Sequence, residues 1–140
     1  MRMADTGEAV DARGERDPRS PAGRVLVAED DANIAEVLVS LLEEEGYAVT
    51  VCDDGHAVLT ALDEPPGLVL LDVLLPGLNG VEVCRWLKAD PRTRDVPVIF
   101  VTALGADLLT TRLHGCSYNG IIHKPFTLDA VLAMVHQYLG

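Results

Sequence analysis

Short apolar runs alternate with longer amphipathic segments along most of this chain. The runs are rich in Val, Ile and Leu, which is typical of strands buried in a parallel sheet. The predicted strands are Arg24–Ala28, Ala48–Cys52, Leu68–Leu71, Val98–Val101 and Gly120–His123. The other segments have apolar residues at helical spacing. The predicted helices are about Asn33–Glu45, a segment that follows Asp53-Asp54-Gly55 and ends near Leu62, Gly80–Asp90, Ala106–His114 and Thr127–Leu139.

Apolar stripes on three of these helices are expected to face a core. The stripe residues are Ile34, Val37, Leu38, Leu41 and Leu42 in the first helix, Val83, Trp86 and Leu87 in the third, and Leu128, Val131, Leu132, Val135 and Leu139 in the last. Asn79 is placed to cap the third helix, because its side chain can accept a hydrogen bond from an unpaired backbone N–H. A second, partly apolar stripe on the last helix is either further core, a set of scattered surface residues, or a face for a partner or a second copy. Its members are Ala130, Met134 and Tyr138.

The alternation of strands and helices predicts an α/β fold, with a parallel sheet covered by helices on both faces. Met1–Gly23 differs from the rest, because it is polar, lacks periodicity and is rich in Gly, Pro, Asp and Arg. We interpret residues 1–23 as a disordered N-terminal tail and residues 24–140 as one folded domain.

The charge of the chain narrows the choice of partners. The net charge is −11, and residues 23–140 carry −10 of it. An acidic domain repels phosphates, so we expect no direct contact with nucleic acid and a preference for divalent cations or basic protein surfaces. No apolar stretch is long enough to cross a membrane and no signal peptide is recognisable, which predicts a cytoplasmic protein without membrane insertion.

The three cysteines, Cys52, Cys84 and Cys116, lie far apart in the sequence. Their odd number and the absence of a CxxC motif argue against a zinc site and against a disulfide framework. We therefore expect reduced thiols.

Residues that can do chemistry follow four of the predicted strands. Glu29 and Asp30 follow the first strand, Asp72 the third, Thr102 the fourth and Lys124 the fifth. In an open α/β sheet, ligands bind beyond the carboxyl ends of the strands. These side chains are therefore expected to gather at one edge and to form a site for a divalent metal and a phosphoryl group.

Each residue type suits a step of phosphoryl transfer. Three close carboxylates repel one another, and Mg²⁺ with oxygen ligands removes that repulsion. Asp72, alone at the end of an apolar strand, is the candidate nucleophile. Thr102 can donate a hydrogen bond to a phosphoryl oxygen, and Lys124 can supply positive charge. Taken singly, each residue also fits a solvated turn or a strand end, so the joint pattern carries the prediction.

The segments VLVAEDD, LVLLDVLLPGLNG, PVIFVTA and HKPF resemble the receiver domain of bacterial two-component response regulators. The resemblance covers essentially all of residues 24–139. It implies a flavodoxin-like, doubly wound sheet of five parallel strands in the order 2-1-3-4-5, flanked by five helices. It also implies a signalling switch that accepts a phosphoryl group from a sensor histidine kinase or a phosphotransfer protein and then changes its surface toward a downstream protein, which the sequence does not identify.

The resemblance also assigns roles to single residues. Asp72 matches the phosphoacceptor, Thr102 the switch hydroxyl and Lys124 the phosphate-binding lysine. The residues that match the Mg²⁺ site are Glu29, Asp30, Asp72 and Leu74, the last through its backbone carbonyl. The peptide bond between Lys124 and Pro125 is expected to be cis.

The sequence departs from the family pattern in three places. Ile121 occupies the position of the usual aromatic switch residue, with Tyr118 nearby at another offset, and Ser117-Tyr118 replaces a Gly-Ala pair. Leu74 and Leu104 lie two residues beyond Asp72 and Thr102, and apolar side chains there cannot orient an attacking water. We therefore predict a long-lived phosphoryl group and an atypical output surface on the fourth helix, fifth strand and fifth helix. The same surface is a candidate homodimer face.

Several other functions remain open at this stage. One is a pseudo-receiver that binds proteins without being phosphorylated. A phosphatase of the haloacid-dehalogenase type would need a second Asp where Leu74 stands, and a nucleotide-binding module would need a glycine-rich motif. Any catalysis would be confined to the protein's own phosphorylation and dephosphorylation. No output domain follows in the printed sequence, so the chain is either a stand-alone receiver or an excised one.

Overall fold

A computed structural model describes residues 23–139, and the structural statements below refer to that part of the chain. Except for Gly23, the predicted disordered tail lies outside the described residues. The strands are β1 (Arg24–Ala28), β2 (Ala48–Cys52), β3 (Leu68–Leu71), β4 (Val98–Thr102) and β5 (Gly120–His123). The helices are α1 (Ala32–Glu44), α2 (Gly55–Ala61), α3 (Gly80–Ala89), α4 (Ala106–Arg112) and α5 (Leu128–Leu139). The predicted alternation of strands and helices is confirmed.

The five strands form one parallel sheet in the order β2-β1-β3-β4-β5. This confirms the flavodoxin-like order 2-1-3-4-5. The register places Ala28 opposite both Cys52 and Leu71, and Thr102 opposite His123. The strands therefore end at a common edge, and the residues that follow them meet there.

Helices cover both faces of the sheet, and each face has its own apolar core. The core under α1 and α5 includes Leu38, Leu42, Val131 and Val135. The core under α2, α3 and α4 includes Val58, Val83, Leu87 and Leu109. This two-sided burial explains why the strands are almost continuously apolar rather than alternating.

Three large side chains that were predicted to face a core are exposed instead. The exposed fractions are 45% for Val37, 60% for Trp86 and 47% for Leu128. Successive helical residues are turned by about 100° around the axis, so a residue beside a buried one lies on the flank of the helix. In α3 the buried face is centred on Val83, Cys84 and Leu87, and it leaves the indole of Trp86 in solvent. The prediction for these three residues was wrong.

Side chains cap the N-terminal ends of α1 and α3. Asn79 accepts a hydrogen bond from the Glu82 N–H, and Glu82 accepts one from the Asn79 N–H, which confirms the predicted cap as a reciprocal capping box. Asp31 caps α1 through the N–H groups of Asn33 and Ile34. The cap explains why α1 begins at Ala32, one residue before the predicted start.

The second stripe on α5 is partly buried. Met134 and Tyr138 pack against the core under α1 and α5, whereas Ala130 is exposed. The Tyr138 hydroxyl donates a hydrogen bond of 2.8 Å to the Asn119 carbonyl, which ties α5 to the loop before β5. Every helix within residues 23–139 is too short or too polar to span a bilayer.

Candidate functional site

Three carboxylates meet beyond the ends of β1 and β3. Oxygen atoms of Glu29, Asp30 and Asp72 all lie within 4.8 Å of one another. Glu29 is 2% exposed and Asp72 is 5% exposed, whereas Asp30 is open to solvent. The cluster forms because β1 and β3 are neighbours in the sheet and end in register.

Lys124 reaches the same cluster from the end of β5. Its Nζ lies 2.8 Å from Asp72 Oδ2 and 2.6 Å from Glu29 Oε1. The Lys124 backbone N–H donates to the Thr102 carbonyl at 2.8 Å, and the Lys124–Pro125 peptide is cis, as expected. The lysine therefore bridges two carboxylates that belong to different strands.

Burial and charge act against each other in this cluster. Burial raises the pKa of Glu29, Asp72 raises it further, and hydrogen bonds from Lys124 and the Asp31 N–H only partly offset this. Burial alone would lower the pKa of Lys124, but its hydrogen bonds to Asp72 and Glu29 outweigh burial and raise the pKa. The site thus holds three carboxylates and one lysine, so a further positive charge there would be stabilised by the remaining negative charge.

Backbone groups hold the buried carboxylates in place. The Asp31 N–H donates to Glu29 Oε2 at 3.1 Å, and the Leu74 N–H donates to Asp72 Oδ1 at 3.0 Å. The start of α3 also presses closely on Asp72, because a Cβ atom on Gly80 would lie only 2.1 Å from the Asp72 carbonyl oxygen. The position of Asp72 is therefore fixed by both its side chain and its backbone.

Thr102 lies at the same edge but is not part of the ionic cluster. It is fully buried at the end of β4, and its Oγ1 accepts a hydrogen bond of 3.1 Å from the Leu104 N–H. Among the described residues, the structure gives no hydrogen bond between Thr102 and Asp72. The sequence thus located Thr102 at the correct edge, one strand away from Asp72.

The residue at the aromatic position, Ile121, is half-buried against the core under α2, α3 and α4. The aromatic side chain in this region is Tyr118, in the loop before β5. Its ring packs edge-on against Phe100 with the ring centroids 5.6 Å apart. The aromatic contact on this face therefore comes from the loop rather than from β5.

Family membership follows from the comparison with known proteins. A model of the response regulator receiver domain matches residues 25–136. The chain belongs to this family. It is therefore a receiver domain of the kind that serves two-component signalling, as the sequence motifs indicated.

Two regulators illustrate the relationship. The DNA-binding response regulator MtrA of Mycolicibacterium paratuberculosis is 49% identical over 117 residues, which cover 83% of this chain and 51% of MtrA. The phosphate regulon transcriptional regulatory protein PhoB of Escherichia coli is 36% identical over 115 residues, which cover 81% of this chain and 50% of PhoB. The receiver chain thus spans about half the length of these relatives.

The name of MtrA conflicts with the prediction of no direct contact with nucleic acid. That prediction rested on the acidic charge of residues 23–140. The residues that match make up 51% of MtrA, so their charge does not decide whether the remainder of such a regulator binds DNA. The prediction was made from the acidic domain, and it is wrong for a whole regulator such as MtrA.

Solved receiver domains share the fold. The receiver domain of a histidine kinase from Syntrophus aciditrophicus has a TM-score of 0.79 and 34% identity, covering 84% of this chain and 89% of that one. A receiver domain of a sensor histidine kinase from Pseudomonas aeruginosa, solved with a magnesium ion in its active-site cleft, has a TM-score of 0.79 and 25% identity, covering 84% and 98%. The BeF₃-activated DrrB receiver domain has a TM-score of 0.74 and 29% identity, covering 83% and 96%.

The donor set of this chain fits Mg²⁺. The cluster offers carboxylate oxygens alone, which are the ligands that Mg²⁺ prefers, and it has more negative than positive charge. One of the three carboxylates, Asp30, is open to solvent, so water can complete a coordination shell. Sequence reasoning missed the double pairing of Lys124, because nothing in the local sequence shows that this lysine also reaches Glu29.

Proposed function

We propose that this receiver accepts a phosphoryl group on Asp72 in a Mg²⁺-dependent reaction, with a histidine kinase or a phosphotransfer protein as the donor. One observation carries the proposal. The buried Asp72 carboxylate lies in contact with Lys124 Nζ, at 2.8 Å, and beside the Glu29 and Asp30 carboxylates. A buried carboxylate, a fixed cation and two further carboxylates therefore lie at one point, which supports the roles proposed for them.

The transfer exchanges one bond to phosphorus for another. An Asp72 carboxylate oxygen forms the new bond to phosphorus while the bond from phosphorus to the donor's nitrogen or oxygen breaks, and the leaving atom keeps the electron pair. Lys124 then pairs with a phosphoryl oxygen, because the carboxylate that it contacts becomes part of an acyl phosphate. Positioning and charge compensation supply the catalysis in such transfers.

We assign Mg²⁺ to the carboxylates of Glu29, Asp30 and Asp72 together with the Leu74 carbonyl. When bound, the ion would offset the negative charge that builds up as the phosphoryl group approaches. All four ligands are predictions, and the closeness of the three carboxylates, within 4.8 Å of one another, supports three of them.

Thr102 is proposed to report the phosphoryl group to the rest of the protein. Its Oγ1 accepts a hydrogen bond from Leu104, so its own hydroxyl proton can be donated to a phosphoryl oxygen. Movement of Thr102 would displace the loop that leads into α4. Ile121 would respond through packing alone, since its side chain has no hydrogen-bonding group. Homodimerisation through α4, β5 and α5 remains a prediction.

The lifetime of the phosphoryl group is a separate part of the proposal. Leu74 is 47% exposed and Leu104 is half-buried, and both are apolar. Neither side chain can orient a water molecule for attack, so the acyl phosphate should persist for much longer than seconds. The lifetime can be measured by mass spectrometry after the phosphodonor is removed. Loss of the phosphoryl group within seconds would contradict the predicted long lifetime.

The test is the intact mass of the full chain after incubation with acetyl phosphate and Mg²⁺. We expect one added phosphoryl group, which is lost in Asp72→Asn and on chelation of the metal. Asp54→Asn is the matched control, because Asp54 caps α2 and asparagine caps a helix equally well. It should still accept the group.

The absence of an adduct in a folded protein that binds Mg²⁺ would overturn the proposal. It would then favour the pseudo-receiver, an alternative that the comparisons do not support. An adduct that persists in Asp72→Asn would show that another residue is the acceptor.

A further inference from the structure

Two cysteines outside the acidic site are brought together by the fold. Cys84 is fully buried on the inner face of α3, and its Sγ donates a hydrogen bond of 3.3 Å to the Ser117 carbonyl. Ser117 directly follows Cys116 in the loop between α4 and β5. Cys116 packs against the same core that contains Cys84. This proximity could not be predicted from the sequence, because the two cysteines lie far apart along the chain.

The two cysteines differ in exposure. Burial, followed by contact with the Cys116 thiol, raises the pKa of Cys84 to about 12. Cys84 is therefore protonated at neutral pH and shielded from solvent. Cys116 is only half-buried, so a small oxidant can reach its sulfur. The third cysteine, Cys52, lies at the end of β2, which is the opposite edge of the sheet from β5.

We propose that Cys84 and Cys116 form a reversible disulfide when the protein meets a peroxide. The inference does not depend on the proposed function, because neither cysteine belongs to the acidic site and the reaction requires no phosphoryl transfer. The bond would tie α3 to the loop that carries Tyr118 and leads into β5.

The oxidation balances in two steps. The Cys116 thiolate attacks one oxygen of hydrogen peroxide, the O–O bond breaks, and the products are a sulfenic acid on Cys116 and hydroxide. The Cys84 sulfur then attacks the Cys116 sulfur, the S–O bond breaks, and the oxygen leaves as water together with the Cys84 proton. The two sulfurs lose two electrons in all, and the peroxide is reduced to two molecules of water. A small thiol reverses the change by exchange.

The surrounding structure decides which cysteine moves. Cys84 is held within α3 and its core, whereas the loop that contains Cys116 is largely exposed. Gly115 begins this loop with a φ of +74°, and a Cβ atom there would meet nothing within 4 Å. Cys116 is therefore the cysteine that has to approach its partner to reach the S–S distance of about 2.0 Å.

The test uses the reduced full chain, treated with a graded series of hydrogen peroxide and then alkylated under denaturing conditions. Intact mass should show the loss of two hydrogen atoms and a single alkylated thiol, which peptide mapping should assign to Cys52. Dithiothreitol should restore three alkylated thiols, the number of cysteines in the chain. Cys52→Ala is the matched control and should still form the bond.

Cys84→Ala and Cys116→Ala should each abolish the bond, and Cys116→Ala keeps the buried thiol in the core, so its fold is expected to survive. Amide exchange of the loop should slow in the oxidised protein and not in oxidised Cys116→Ala. A folded wild-type protein in which Cys116 passes directly to sulfinic acid without the bond would overturn the proposal. So would a disulfide that contains Cys52.

Discussion

The acidic site and the start of helix α4 both follow the carboxyl ends of the strands but are held in place in different ways. At the site, Glu29 and Asp72 are almost fully buried, and Lys124 pairs with both. Helix α4 has seven residues, of which only Leu109 is buried, and its N-cap, Gly105, makes no side-chain hydrogen bond. Leu108 in the same helix is 54% exposed.

The difference separates a part of the receiver that must be pre-organised from a part that must move. Charges that act on an incoming phosphoryl group are most effective when their positions are fixed beforehand. A short helix with few buried contacts can shift at small cost in free energy. We therefore expect the site to resist substitution and α4 to tolerate it, and the following predictions test this contrast.

The largest effect is expected from alanine at two helix-start glycines. A Cβ atom on Gly80 would collide with the Asp72 carbonyl oxygen at 2.1 Å, whereas one on Gly105 would meet nothing within 4 Å. Gly80→Ala should lower the free energy of unfolding by about 3 kcal/mol. Gly105→Ala should change it by less than about 1 kcal/mol. Urea unfolding of both variants measures the two changes. Equal losses of unfolding free energy would contradict the proposed contrast between the site and α4.

The second-largest effect is expected from replacing one of the two lysines of the domain by alanine. Lys124→Ala leaves three carboxylates within 4.8 Å of one another without their cation, and it should lower the free energy of unfolding at pH 7 by about 2 kcal/mol. Millimolar Mg²⁺ should restore much of this loss.

Lys88→Ala is the matched control, because Lys88 Nζ donates to the Val96 carbonyl at 2.7 Å and to the Arg94 carbonyl at 3.1 Å, away from the site. Lys88→Ala should lower the free energy of unfolding by about 1 kcal/mol, and this loss should not depend on Mg²⁺. A similar rescue of both variants by Mg²⁺ would contradict the assigned metal site.

Glu29→Gln should stabilise the metal-free protein at pH 7 by about 1 kcal/mol and weaken Mg²⁺ binding, because a buried charge is replaced by a neutral isostere. The pKa of Glu29 in the folded protein lies above its ordinary value of 4.5. Its contribution to stability is therefore fully present below pH 4.5 and is lost as the pH rises through the folded-state pKa.

The advantage of the Gln variant should consequently vanish at pH 4 and grow toward pH 7. Urea unfolding of both proteins at a series of pH values measures whether this advantage grows or shrinks as the pH rises. An advantage that is the same at every pH would show that ionisation of Glu29 is not its cause.

The smallest effect should come from giving α4 the cap that it lacks. Gly105→Asp places an acceptor at the N-cap position, where the space around the residue is open, and should raise the free energy of unfolding by about 0.5 kcal/mol. Thermal unfolding of Gly105→Asp and Gly105→Ala should be compared, because only the aspartate adds a capping hydrogen bond. Destabilisation by the aspartate would indicate that α4 is held by contacts other than those described.

The sequence predicted the strands and the site edge well because both depend on local features. Four of the five short apolar runs lead into a residue of the candidate site, and parallel strands place those ends together whatever the helices do. The strand order came from the family resemblance, and it decides that Asp72 lies beside Glu29 and Asp30.

Features that depend on the packing of helices were not predictable in the same way. Helical spacing alone could not show that the buried face of α3 excludes Trp86. Apolar residues on the flank of a buried face recur with the same spacing as those at its centre. Cys84 and Ser117 are joined only by the way α3 packs beside the α4–β5 loop. Such contacts between distant segments have no local signature in the sequence.

The most direct test of this account is amide hydrogen exchange of the receiver with and without acetyl phosphate and Mg²⁺, with Asp72→Asn treated in the same way. We predict altered exchange in α4 and in the loops on either side of it, little change in α1, and no change in the variant. A response confined to the residues around Asp72, or one that persists in Asp72→Asn, would contradict the division between a fixed site and a movable helix.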